Sequence, residues 1–361
     1  MERLTPLPWQ GPLWQRVMSA AERLPHALLL HGARGIGKRH FARTLAQALL
    51  CETPDAERRA CGTCAGCLLV ASDNHPDLRW LVPEVDQPVR DDAEESDDGA
   101  AAPSLKTTRA SRAILIDQVR EVGEFLSLAA HRGGRRVLLL APAEALNGPA
   151  ANALLKLLEE PPAGAIFIGV TDEIDAVLPT VRSRCVLLRA PVPRPEVALD
   201  WLKAQRVEDA DTKLAEAGGA PMGLDAEEDD GRRLAPELKA RLLELLARGG
   251  CLTLAEVTSA VPKDIPVSGA IRLFQRWGWD LLVEREAQRV RYYPRQERAI
   301  AAISRASERE RLLGWLTQLT EAQATAAHPL NAKLAVESVL IGYMDATRPA
   351  RQVKRGSRPD E

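Results

Sequence analysis

The sequence predicts an α/β fold built on a parallel sheet and followed by an all-helical region. Three observations carry that reading. Short continuous apolar runs recur in the first half: Leu28-Leu29-Leu30-His31, Val137-Leu138-Leu139-Leu140, Ala165-Ile166-Phe167-Ile168-Gly169-Val170 and Cys185-Val186-Leu187-Leu188. Runs this short without polar alternation read as strands buried on both faces. Helical segments lie between them, the clearest being Ala150 to Glu160, which Pro161-Pro162 stops. Strands alternating with helices give a parallel α/β sheet. After Arg189 the punctuation Ala190-Pro191-Val192-Pro193-Arg194-Pro195 reads as a linker, and beyond it the pattern is helical, with breaks at Gly249-Gly250 and Pro262.

Composition bounds the class. A chain of 361 residues is expected to form two or three domains. It is 45% hydrophobic and 27% charged, which fits a globular protein, and its 4% aromatic content calls for an aliphatic core. The net charge of -2 gives no overall basic field to draw in nucleic acid. No apolar run approaches the roughly 18 residues a membrane helix needs. Met1-Glu2-Arg3-Leu4-Thr5-Pro6 has no apolar signal core. A cytoplasmic location without membrane contact is expected, and there the six cysteines are not expected to form disulfides.

The elements follow in order. Leu28 to His31 ends at Gly32-Ala33-Arg34-Gly35-Ile36-Gly37-Lys38-Arg39, and the next segment places Phe41, Leu45 and Leu49 on one helical face. Strand, glycine loop and helix are the setting of a phosphate-binding loop, whose glycines Gly32, Gly35 and Gly37 and lysine Lys38 match GxxxxGK. The next position of that pattern is Ser or Thr, whose hydroxyl ligates Mg²⁺; here it is Arg39. The strand Val137 to Leu140 runs into Ala141-Pro142, where P-loop ATPases place a carboxylate for the metal and the attacking water. Glu144 lies three residues on and is expected to face elsewhere. With two independent Mg²⁺ ligands missing, hydrolysis is expected to be lost. Lys38 and the loop amides keep a weak phosphate cradle open as an alternative.

Cys51, Cys61, Cys64 and Cys67 form C-x9-C-x2-C-x2-C. Thiolates two residues apart reach one ion, and four complete a tetrahedral Zn²⁺ shell of the closed, structural kind. Gly62 and Gly66 are expected to let the backbone bend around the metal. An iron–sulfur cluster is the rival, but its spacing and flanking proline are absent. His75 lies near in sequence, outside a shell that four sulfurs already fill. Cys251 stands alone and is expected in the core. Glu84 to Asp98 holds eight carboxylates and one arginine, so residues 84–112 are expected to be an unstructured acidic insertion. The tail 348–361 holds five basic residues and is expected to be flexible.

At this point the residues resemble a known family. Asn152-Ala153-Leu154-Leu155-Lys156-Leu157-Leu158-Glu159-Glu160-Pro161-Pro162 is similar to the NALLKxLEEPP segment of bacterial clamp-loader AAA+ subunits, and Ser183-Arg184-Cys185 is similar to their SRC motif. The four-cysteine module after the loop helix, His26 to Gly32, and Asn74-His75-Pro76-Asp77 also match. The resemblance is specific over residues 7–190 and weaker afterwards, where His328-Pro329-Leu330-Asn331-Ala332-Lys333-Leu334-Ala335-Val336-Glu337 looks like the family's last helix. Within the family, the gamma/tau type keeps its ATP-site residues and the delta-prime type loses them; Arg39, Ala141 and Pro142 side with delta-prime. Gly218 to Gly223, which looks like the lid segment, holds no phosphate-sensing arginine. Lys38 is a departure, since some delta-prime chains lack it.

The resemblance implies a P-loop AAA+ domain over residues 1–190 with a zinc module at 51–67, a helical lid over 191–228 and a helical collar over 229–347. It implies a non-catalytic stator of the DNA polymerase III clamp loader, in a heteropentamer with gamma/tau and delta. That complex loads the sliding clamp onto primed DNA. Arg184 would then act in trans, as an arginine finger on a neighbour's γ-phosphate, with Ser183 opening the following turn and Cys185 beneath it. The alternatives are a hydrolysing gamma/tau-type motor, which residues 39, 141 and 142 oppose, and a stand-alone zinc-containing nucleic-acid-binding module, whose basic balance is missing.

Overall fold

A computed structural model of the chain describes residues 3–87, 111–132, 134–223, 234–325 and 331–348. The chain divides into two compact units, Met1–Val197 and Ala198–Glu361. The first holds helix α1 (Gly11–Met18), strand β1 (Ala27–His31), α2 (Lys38–Leu49), α3 (Ala65–Ala71), β2 (Leu78–Leu81), α4 (Ile116–Ser127), β3 (Arg136–Leu140), α5 (Gly148–Glu159), β4 (Ala165–Thr171), the short α6 (Pro179–Arg182) and β5 (Val186–Arg189). Helix α7 (Pro195–Ala204) spans the division.

The strands form one sheet in the order β2-β3-β4-β1-β5, parallel at every pairing. Alternate residues of each central strand point to opposite faces, and both faces are covered. Leu28 and Leu30, Val137 and Leu139, and Ile166 and Ile168 meet Trp14, Phe41 and Leu45 on one side. Ala27 and Leu29, Leu138 and Leu140, and Ala165 and Phe167 meet Val119, Phe125, Leu154 and Leu158 on the other. This is why the central strands read as unbroken apolar runs; β5 corrects the same expectation, because it lies at the sheet edge with Val186 and Leu187 exposed and only Leu188 buried. Each large aliphatic side chain so buried contributes roughly 1.5–3 kcal/mol relative to exposure. Strand β2 was not among the sequence expectations.

A buried polar tie fixes the β2 edge. The carboxylate of Asp77 accepts the backbone N–H groups of His131 and Arg132, each at 2.8 Å, just before β3. The buried guanidinium of Arg136 donates to the carbonyls of Phe125 and Ala129 and lies 4.6 Å from the Phe125 ring centroid.

The acidic insertion needs correction at both ends. Glu84–Asp86 form a 3-10 turn, Ser111 donates its N–H to Glu84 Oε2 at 2.9 Å, and Val85 donates to the Ser111 carbonyl at 3.3 Å. Two backbone-anchored bonds close the loop there, so the acidic residues at its edge are not free. Residues 88–110 lie outside the described residues.

The second unit is helical: α8 (Ala210–Glu216), α9 (Pro236–Leu246), α10 (Leu254–Ala260), α11 (Val267–Ala287), α12 (Glu297–Ala306), α13 (Arg309–Thr325) and α14 (Ala332–Ala346). A small cluster of Ala198, Leu202, Ala210 and Leu214 is separate from the large core around Leu246, Trp277, Leu319 and Tyr343. In that core Trp277 donates to the Tyr343 hydroxyl at 3.1 Å, and the hydroxyl donates to the Leu246 carbonyl at 2.6 Å. The Asn331 side chain caps α14, accepting from Leu334 N at 3.1 Å. His328-Pro329-Leu330 and the tail beyond Arg348 lie outside the described residues. Cys251 corrects an expectation. It is exposed, because the 3-10 turn Gly249–Cys251 directs it away from the core.

Candidate functional site

The loop between β1 and α2 takes the path its glycines allow. Gly37 sits at φ 85°, a left-handed conformation that a side chain would strain, and serves as the N-cap of α2. The loop is braced from outside: Trp9 Nε1 donates to the Ile36 carbonyl at 2.9 Å and Gln10 Nε2 to the Gly37 carbonyl at 2.9 Å. Its lysine is not extended into an open cradle. Lys38 Nζ donates to the carbonyls of Gly32 at 2.8 Å and Ala33 at 2.6 Å, and pairs with Asp172 Oδ1 at 2.5 Å, its side chain only 3% exposed.

Asp172 reaches the loop through strand register. β1 pairs with β4 so that His31 lies beside Thr171, and the next residue of each strand leads into the loop and to Asp172 respectively. Glu144 turns to the end of β4, where its Oε1 accepts the Asp172 N–H at 3.1 Å. Arg39 stands where the pattern has its metal-ligating hydroxyl. Its guanidinium donates to the Ala141 carbonyl at 3.4 Å and to Asp86 Oδ2 at 3.4 Å. The two positions from which Mg²⁺ ligands are missing are thus joined by a protein cation. His31 at the loop entrance is held below the usual histidine range by burial and by the charges of Arg189 and Lys38.

The four cysteines converge. Their sulfurs all lie within 4.8 Å of one another, with Cys51 to Cys64 at 3.9 Å and Cys61 to Cys67 at 3.9 Å. A tetrahedron with metal–sulfur bonds of ~2.3 Å has edges of about 3.8 Å, so this set fits one four-coordinate metal ion. Backbone N–H groups point at the sulfurs: Cys61 N at Cys51 Sγ (3.2 Å), Cys64 N at Cys61 Sγ (3.3 Å) and Cys67 N at Cys64 Sγ (3.4 Å). Such donors favour the thiolate. The Thr53 hydroxyl and further donors pull Cys61 down to about 5, while burial pushes Cys51 and Cys67 up. His75 stands outside the four-sulfur group, its Nδ1 accepting from Asp77 N at 3.0 Å.

Arg184 follows α6 and is partly exposed. It donates to the Thr180 carbonyl at 3.1 Å and the Ser183 hydroxyl at 3.4 Å, and forms an ion pair with Glu159 at the end of α5. The two sequence motifs are therefore joined by one salt bridge. Cys185 beside it is packed against the α5 side of the sheet, and burial pushes its thiol up to about 11. Asp172 escaped the sequence reading, while Glu159 was read only as a member of the clamp-loader-like segment and Asp86 only as part of the acidic stretch. For Asp172 a signal existed, because ligands of open α/β sheets bind at the carboxyl ends of the strands and Asp172 directly follows β4.

Comparison with known proteins places this geometry in a family. The family model described as DNA polymerase III, delta subunit matches residues 12–193, half of this chain. The chain belongs to that family. A relative from Pseudomonas aeruginosa, DNA polymerase III subunit delta', is 38% identical over 219 residues, 60% of this chain and 59% of the relative. The protein of the same name from Escherichia coli is 34% identical over 210 residues, 58% of this chain and 55% of the relative. The chain thus spans between half and three-fifths of the length of these curated relatives. A solved gamma subunit-related protein of DNA polymerase III from Thermotoga maritima covers 93% of this chain and 99% of its own, with TM-score 0.46 and 17% identity, too low to add to the assignment. Among the described residues no helix is long and apolar enough to cross a membrane.

Proposed function

We propose that this chain is the non-catalytic stator of a bacterial clamp loader, which supplies Arg184 in trans to the nucleotide of a neighbouring gamma/tau subunit. In this reading residues 1–190 form a AAA+ domain, 191–228 its lid and 229–347 the collar that joins gamma/tau and delta. The sliding clamp and primed DNA are reached through the complex, in the cytoplasm. The ion in the four-cysteine cluster is zinc, a structural crosslink with a closed shell. The observation that carries the reading is the pairing of opposites in one domain. The chain's own phosphate loop is closed by Lys38 and Asp172 and bridged by Arg39, while Arg184 keeps a guanidinium at the surface. Turnover is not expected from the isolated chain, which has neither a hydroxyl at Arg39 nor a carboxylate at Ala141 to hold Mg²⁺.

The test is reconstitution with gamma/tau, delta, clamp and primed DNA. Arg184→Ala is expected to fold and assemble normally by gel filtration, yet to slow ATP hydrolysis and slow clamp loading more. A finger can be worth about 10³–10⁵ at its own site, but the total defect is smaller because only one of several sites faces Arg184. Arg184→Lys is expected to rescue little, since the planar fork matters as well as the charge. Wild-type rates for Arg184→Ala in both assays would make Arg184 an ordinary surface arginine.

A further inference from the structure

The charges around the β1–α2 loop match those of a nucleotide with its metal, yet both are supplied by the protein. In a loop of this spacing the lysine pairs with a polyphosphate oxygen, and a Mg²⁺ ion sits beside the following residue. Here the anion on Lys38 is the Asp172 carboxylate, 2.5 Å away, and the cation bridging from position 39 to the end of β3 is the Arg39 guanidinium. The lysine is 3% exposed and makes two further bonds to loop carbonyls, so its three donor hydrogens are matched by three protein oxygens. A buried ammonium needs such a partner. Asp172 is itself steadied from behind, where its N–H is held by Glu144 Oε1 at 3.1 Å.

We propose that Asp172 is an intramolecular stand-in for phosphate, which keeps the loop shut to polyphosphates, and that removing its charge opens a latent polyphosphate-binding site on Lys38. The ligand class is a pyrophosphate or triphosphate group. Any such ligand must displace the Asp172 carboxylate from Lys38, so the wild-type chain excludes it. Binding to the opened loop does not require magnesium, because Arg39 already brings a positive charge to the end of β3 beside the loop. The inference concerns the isolated chain and stands whether or not the clamp-loader reading does.

The experiment uses the full chain and the variants Asp172→Asn, Asp172→Ser and Asp172→Asn/Lys38→Met. Circular dichroism first establishes which are folded. Titration calorimetry and thermal melting then use two probes, inorganic pyrophosphate and ATP, each with and without Mg²⁺. The wild-type melting temperature is expected to be unmoved by millimolar pyrophosphate. Asp172→Asn is expected to melt lower than wild type, because Lys38 loses its counter-charge. It should regain stability with pyrophosphate and bind at least about tenfold tighter than wild type, the scale of one charge-assisted bond. Chelating Mg²⁺ should leave that gain in place, and the double variant should lose it. ATP binding with the same gain assigns the opened site to nucleotides, whereas pyrophosphate alone assigns it to the phosphate chain. Asp172→Ser, whose smaller side chain carries no charge, gives the same reading if Asn is not tolerated. Wild-type binding as tight as that of the variants, or a folded charge-neutral variant that binds neither probe, would overturn the proposal.

Discussion

A single side chain decides several of these features, and its identity is legible where its role depends on chemistry alone. The side chains of Arg39 and Ala141 cannot ligate Mg²⁺ in any fold, so the absence of those two ligands is legible in the sequence. The four cysteines were readable for the same reason. Asp172 and Glu159 were not, because each acquires its role only when strand register or helix packing brings it to Lys38 or Arg184. The thiols give a direct check at this scale. Cys251 is exposed, Cys185 is half-buried with its thiol pushed up to about 11, and the remaining four share one cluster. An ordinary thiol titrates near 8.5, so at pH 8 Cys185 stays almost wholly protonated, and it gains thiolate only as pH rises toward 11. With metal bound, Cys251 is expected to react quickly with a thiol reagent and Cys185 slowly. Cys51, Cys61, Cys64 and Cys67 should join only after a strong chelator is added. Fast reaction of all four cluster thiols in untreated protein, with no zinc by elemental analysis, would refute the metal assignment.

Apolar runs announce strands but not how deeply they are buried: β5 was legible although Val186 and Leu187 are exposed. β1, β3 and β4 sit inside the sheet, where both faces select apolar residues, and their sequences announce them. β2 is a four-residue edge strand, Leu-Arg-Trp-Leu, whose Arg79 is exposed, and so it carries no apolar run. Helix α3 shows how an element can be set by one contact. Gly66 was expected to serve a tight bend, yet it lies inside α3, and a Cβ there would meet the Leu50 carbonyl oxygen at 2.6 Å. That approach holds Cys67, also in α3, beside the end of α2 and hence beside Cys51. Gly66→Ala must push α3 away from Leu50, since backbone cannot rotate aside as a side chain can. It is expected to weaken metal retention in a chelator competition by tenfold or more, the scale of disturbing a site's supporting shell. Ala at Gly148, whose Cβ would meet nothing within 4 Å, should leave retention unchanged. Equal retention in both variants would show that the close approach does not position the sulfurs.

At the scale of the whole molecule, the two units have separate cores, and the four-cysteine cluster lies in one of them. The sheet cores and the four-cysteine cluster belong to Met1–Val197, while the Trp277–Tyr343 core belongs to Ala198–Glu361. The sequence marked a change of pattern near this division through Pro191, Pro193 and Pro195, because proline-rich punctuation interrupts both strands and helices. Metal binding is folding energy where the ligands are ordered only in the native state, so it should stabilise one unit and leave the other untouched. Differential scanning calorimetry of the full chain is expected to show two transitions. Chelation should lower one of them and leave the other in place, and Cys64→Ser should reproduce that pattern without chelator. The unaffected transition should instead respond to Tyr343→Phe. That change leaves Trp277 Nε1 and the Leu246 carbonyl without their buried partner, a loss of about 1–3 kcal/mol. A single transition that chelation shifts as a whole would mean that the two cores melt as one cooperative body. The metal would then stabilise the helical unit as much as the sheet.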